Sequence, residues 1–201
     1  MNADDLDTAV TGTLRLLTPH QDDDWTARAG RLDWTCLATA AHLAHDLTAY
    51  ATQLATDGLP PGLEAPTSRA GGAYLPLDLT VQPDAPPRAV LQIVAAAARL
   101  LSLTLRSAGP GARAWHWGPT DGSGFAALGV NETLVHTWDI AQGLRLDWTP
   151  PPALAARVLS RLFPAAPPGD PSAALLWCTG RIALPGRPRL TDWKLKAALP
   201  T

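Results

Sequence analysis

Four long stretches of this chain repeat apolar residues at helical spacing, and each stops at a proline or a glycine. Leu6, Val10, Leu14 and Leu17 recur behind an acidic first turn and end at Pro19, which predicts a helix over 3–18. Cys36, Leu43, Leu47, Tyr50 and Leu54 form the stripe of a second helix, from near Thr35 to about Thr56, closed by Gly58-Leu59-Pro60-Pro61. Pro86 and Pro87 open a third, which runs through Ala108 to Gly109-Pro110-Gly111 and presents Val90, Leu91, Val94, Ala97, Ala98, Leu101 and Leu105 as a broad apolar face. The fourth spans about Phe125 to Gln142 and is expected to end at Gly143. Four such stripes bury one another in a bundle, so residues 1–148 are expected to form an all-α four-helix bundle. Residues 149–201 carry Pro150-Pro151-Pro152, a short helix to Phe163 and the apolar run Ala173–Cys178. That is too little for an independent domain of ordinary size, and it is expected to pack on the bundle as a short helical extension. Between 58 and 87 the composition shifts to Pro, Gly and small polar residues, a long loop of the kind that is usually functional or loosely ordered.

Charge excludes several classes of function. The formal net charge is −2 with no run of either sign, so no footprint for nucleic acid appears. The first residues are acidic where a secretory signal would be basic, and no apolar run looks long enough for a bilayer, which needs roughly 20 residues. A cytoplasmic monomer or homodimer without membrane or nucleic-acid partners is the expectation. Cys36 and Cys178 lie outside any Cys-x-x-Cys spacing and read as buried small hydrophobes.

The fourth helix breaks the ordinary pattern. Wound at 100° per residue, it puts Phe125, Leu128, Glu132, Val135, His136, Asp139 and Ile140 on one face, with Thr133, Thr137 and Ala141 away from it. A carboxylate and an imidazole on a core-facing stripe cost several kcal/mol each unless paired or bound to a metal. Residues i and i+4 stand with Cβ atoms roughly 6 Å apart, close enough to share one ion at about 2 Å. The second helix offers His42 and His45 as a third donor; His42 lies beside Asp46 and Thr39 on the flank of the stripe, whereas His45 turns away, so His42 is preferred. Two imidazoles, one carboxylate and an open position describe catalytic zinc and non-haem iron sites alike. Spacing alone leaves a second reading open, in which Glu132 and His136 form an intrahelical pair and His42 is merely buried. Neither His-Glu-x-x-His nor the Glu-x-x-His of di-iron bundles is present. Asp46 and Asp139 stand one turn from His42 and His136 and are candidates to orient them, or else ordinary surface acids. Trp115, His116 and Trp117, and with them Trp138, could wall a pocket or simply fill core.

Two segments resemble the DinB-like superfamily, specifically the N-terminal metal-binding region of mycothiol-dependent maleylpyruvate isomerase: Trp34-Thr35-Cys36-Leu37-Ala38-Thr39-Ala40-Ala41-His42-Leu43 and Glu132-Thr133-Leu134-Val135-His136-Thr137-Trp138-Asp139. The similarity extends from the first helix through Gly143, and Leu175-Leu176-Trp177-Cys178-Thr179-Gly180-Arg181 is similar to a segment of such relatives. The resemblance implies a DinB-like four-helix bundle, a divalent ion, often zinc, held by His42, Glu132 and His136, and a low-molecular-weight thiol such as mycothiol as co-substrate beside a small-molecule substrate. The isomerase has a larger C-terminal domain that contributes an arginine; only a Pro-rich tail follows here, so isomerisation of maleylpyruvate itself is not expected. Arg181 could meet a substrate or thiol carboxylate, the alternative being an exposed salt-bridging arginine. The functional expectation is a metal-dependent thiol transferase or isomerase; the alternatives are a hydrolase using metal-bound water and a catalytically silent metal-binding or interaction module.

Overall fold

Asn2 caps the first helix, accepting hydrogen bonds from the backbone N–H groups of Asp4 and Asp5 while Asp5 reaches back to the Asn2 N–H. From this start the computed structural model, which describes residues 1–60, 75 and 77–199, runs through α1 (Ala3–Leu17), α2 (Cys36–Leu54), α3 (Pro87–Ser107), a two-strand hairpin of β1 (Ala114–Trp115) and β2 (Pro119–Thr120), α4 (Gly122–Gly143), α5 (Pro152–Leu162) and α6 (Pro171–Cys178). Neighbouring helices pack in the cyclic order α1, α3, α2, α4, so α2 and α4 lie side by side. The chain is all-α apart from the small hairpin. Leu6, Leu17, Leu43, Leu47, Leu54, Leu101, Phe125 and Leu128 are fully buried between the four helices, which is what their helical spacing implied. Half of the Pro/Gly-rich loop over 58–87, residues 61–74 and 76, lies outside the described residues.

Three local expectations are revised. Thr133, Thr137 and Ala141, set away from the core-facing stripe, are buried too: 16 of the 22 residues of α4 are, because α1, α2 and α5 cover it on different sides. Its threonines satisfy their hydroxyls on the carbonyls one turn back, and Thr137 also meets Thr13 of α1 at 2.7 Å, which is how polar residues survive inside the bundle. Gly143 does not cap α4. It is the last helical residue, Leu144 is the cap and Arg145 takes the left-handed backbone with φ +58°. Glycine is required there by a close approach, since a Cβ would lie 2.4 Å from Cys36 Sγ and 2.6 Å from the Arg28 carbonyl. Gly143→Ala is therefore expected to cost roughly 1–3 kcal/mol, the range for overpacking a filled core, and a denaturant melt with unchanged midpoint would contradict it. Finally, α3 is long and apolar enough to cross a membrane by length and composition alone. Here its Val90, Val94, Ala97, Ala98 and Leu101 are buried against α1 and α2, while Arg88, Arg99 and Arg106 are exposed.

The segment after α4 returns over the bundle. α5 packs on α4 and α6 on α5. The last described residues form a strap tied at both sides: the Lys196 N–H donates to the Leu162 carbonyl, the Leu199 N–H to that of Pro119, and Arg161 donates to the Ala197 carbonyl and to Asp121, the N-cap of α4. Residues 193–199 thus run from the end of α5 to the hairpin.

Candidate metal centre

Thr35 caps α2 by accepting from the Ala38 N–H, and Asp121 caps α4 through the Gly124 N–H. With both helices fixed, His42 of α2 faces Glu132 and His136 of α4, and one ligand atom from each lies within 4.8 Å of the others. His136 Nε2 stands 3.2 Å from Glu132 Oε2, and the two imidazoles meet edge-on with centroids 5.0 Å apart. Two imidazoles and one carboxylate at this spacing, inside an apolar bundle, match the donor set of a divalent ion, and no other set of three or more such donors occurs among the described residues. His45 belongs to a different contact: its Nδ1 accepts from the Leu79 N–H at 3.2 Å and lies near Asp78.

Each donor is held by a neighbour. The Nδ1–H of His136 donates to Asp139 at 3.1 Å, which leaves Nε2 to face Glu132. Asp139 in turn accepts two hydrogen bonds from Arg181, 3.2 Å from Nε and 2.7 Å from Nη2, and is only 1% exposed. Arg181 also donates to the Thr179 carbonyl and lies 6.0 Å from the centroid of the Trp193 ring. Asp139 is therefore no surface acid and Arg181 no exposed arginine; its guanidinium is engaged behind the site. On the other helix Asp46 lies 3.2 Å from His42 Nε2, and Trp34 packs its ring 4.7 Å from the His42 ring. Asn131 donates to the second oxygen of Glu132 at 3.2 Å. Trp34 stands in the segment that carried the resemblance, yet nothing in its spacing said that it stacks on His42. Asn131 was passed over for a similar reason, since one residue from Glu132 on a helix usually points elsewhere.

Two of the three donors already have the protonation state that a metal requires. Burial, with the nearby His136, pulls the pKa of His42 down to about 4, so its ring is neutral. Burial would raise Glu132, but the hydrogen bond and charge of His136 outweigh it and hold the carboxyl below its usual range. His136 is the exception: burial opposes its charge, yet the hydrogen bonds to Asp139 and Glu132 lift its pKa to about 9. Burial and the Glu132 charge push Asp46 up to about 7. Because His136 is raised above its unfolded value, its pairing stabilises the metal-free fold fully below about pH 6.5 and is lost as pH rises through about 9. The same proton competes with a metal. Between pH 7 and 9, affinity for a divalent ion is expected to rise about tenfold per pH unit, one proton being released per ion. Isothermal titration in buffers of different ionisation enthalpy reads that proton directly, and a flat profile would count against a ligand role for His136.

Glu132 opens on a cavity of about 620 Å³ lined by Tyr50, His116, Trp117, Trp193, Lys194 and Leu195. His42 also borders a second hollow, about 530 Å³, whose mostly apolar wall includes Leu37, Ala41, Leu79 and Val81, with His45 and Asp78 among its polar members. His116 and Trp117 thus face the centre, and Trp115 borders a smaller neighbouring hollow, whereas Trp138 lies against Gly30. Burial lowers His116 to about 4, so it is a neutral wall of the cavity. The strap residues Trp193, Lys194 and Leu195 were missed altogether, since no local pattern ties a terminal segment to a site some sixty positions earlier.

A family model described as mycothiol maleylpyruvate isomerase N-terminal domain matches residues 6–141. No curated protein and no solved structure matches the chain.

Proposed function

From the chain's membership of the mycothiol maleylpyruvate isomerase N-terminal domain family, we propose that it is a metal-dependent enzyme of the thiol-dependent transferase or isomerase class. The observation that carries this reading is the convergence of His42, Glu132 and His136 at a point flanked by two separate hollows, as a reaction between a thiol and a second small molecule needs. A divalent ion, most simply zinc, would be held by these three residues and would supply a Lewis acid that lowers the pKa of a thiol into the neutral range. The chain's own residues do the rest. Asp139, locked by Arg181, keeps the His136 ring in one tautomer and one orientation, and Asn131 fixes the Glu132 carboxylate. Asp46, with its pKa near neutrality, can hold or accept a proton beside His42. The strap and the hairpin narrow access of water to Glu132.

Turnover of a panel of electrophilic acceptors by zinc-loaded protein, with and without a mycothiol-type thiol, tests the reading. Conversion only with the thiol is expected. Equal hydrolysis without it would favour a hydrolase, and metal binding with no turnover of any kind would favour a silent module.

A further inference from the structure

The cavity above Glu132 is built in a way that binding an ion alone does not require. Trp117 sits at the tip of the β1–β2 hairpin with φ +55°, a left-handed backbone that a bulky residue rarely adopts, and its side chain is 69% exposed. Facing the same cavity, Trp193 is 37% exposed and is held in place by Phe163, with ring centroids 6.4 Å apart, and by Arg181. Both indoles border the same cavity as Glu132, which gives it two large aromatic walls. Lys194, next to Trp193 in the chain and one of only two lysines, lines the same cavity and is the one lysine or arginine among the described residues that do so. Tyr50, Leu195 and the neutral His116 complete the wall, with the Glu132 carboxylate, paired to His136, at the end nearest the metal centre.

We propose that this cavity is the acceptor-binding subsite and that it takes an aromatic carboxylic acid, with the flat ring against Trp117 and Trp193 and the carboxylate on Lys194. Two aromatic walls select a planar, polarisable body over a saturated one of equal size, and a single ammonium at the rim selects an anionic end. The volume of about 620 Å³ admits one or two fused rings with room for a second reactant at Glu132. The specificity resides in the hairpin and the C-terminal strap, outside the helices that carry the donors. The assignment of this ligand as the acceptor rests on the proposed function; its binding does not.

The test is calorimetric titration of the full-length protein with 2-naphthoate, as purified and again after chelator treatment, so that direct ligation of the carboxylate to an ion is separated from the cavity. One-to-one binding that survives chelation is expected. Trp117→Asn, which tolerates the left-handed backbone and so preserves the hairpin, should weaken it at least tenfold. Lys194→Met should weaken it about tenfold while leaving the neutral 2-naphthylmethanol unaffected. Cyclohexanecarboxylate should bind much more weakly than 2-naphthoate. Absence of binding at millimolar concentration, loss of binding on chelation, equal affinity in either variant, or a saturated acid binding as tightly as the aromatic one would each overturn the proposal. Metal content, measured separately on the same samples, reports on the metal centre alone, so that failure of one reading is distinguishable from failure of the other.

Discussion

His136→Ala protein is expected to lose essentially all of its divalent ion, with affinity falling more than about 100-fold, because the neighbours of a ligand alone already contribute roughly 10–100-fold. His136 is the best-anchored of the three donors: its Nδ1 is tied to Asp139 and its Nε2 faces Glu132, both on the same helix. Removing the ring leaves one imidazole and one carboxylate from different helices, too few to hold an ion against water. The helix itself survives the change, since alanine is the strongest helix former and the site lies in mid-α4. Metal per chain after gel filtration in trace chelator is the measurement, and equal content in parent and variant would sink the site. His45→Ala is the matched control: it removes the other histidine of α2, one engaged with Leu79 and Asp78, and is expected to keep the ion.

Arg181→Met should destabilise the protein by about 3 kcal/mol, the lower end of the range for breaking a buried ion pair by deleting one partner. Asp139 is 1% exposed and depends on Arg181 for two of its hydrogen bonds; without the guanidinium its charge is compensated by His136 alone. For a chain of this size that corresponds to a fall in Tm of roughly 10 °C. The double variant Arg181→Met with Asp139→Asn should recover part of the loss, since it removes the orphaned charge as well, and a melt of the single variant that overlays the parent would refute the coupling. Arg181 of the extension thus holds Asp139, which holds the candidate ligand His136, so the extension reaches the site although it contributes none of the candidate donors.

Much of this was legible in the order of residues. Helical spacing of leucines and valines, punctuated by Pro19, Gly58, Pro87 and Gly109, located the four helices to within a few residues, because burying a stripe is the dominant favourable term and its period is local. The four-residue step from Glu132 to His136 brought those two side chains together for the same reason: one helical turn is a property of the backbone. Sequence reading divided α4 into one core-facing stripe and residues away from it, and the structure buries Thr133, Thr137 and Ala141 as well. A helix wrapped by three others buries more than one face, and a threonine bonded to its own backbone looks the same in sequence whether it faces water or Thr13.

What the sequence determined by itself was the set of helices, their apolar faces and the pairing of Glu132 with His136, all consequences of interactions over four residues or fewer. Only the tertiary structure decided that α2 lies beside α4 rather than across the bundle, which brings His42, the histidine the sequence preferred, against that pair. It alone set Arg181 behind Asp139 and folded Trp193 and Lys194 over Glu132. Such contacts join residues separated by some 40 to 90 positions; they depend on how rigid helices share a core, and no local periodicity encodes that.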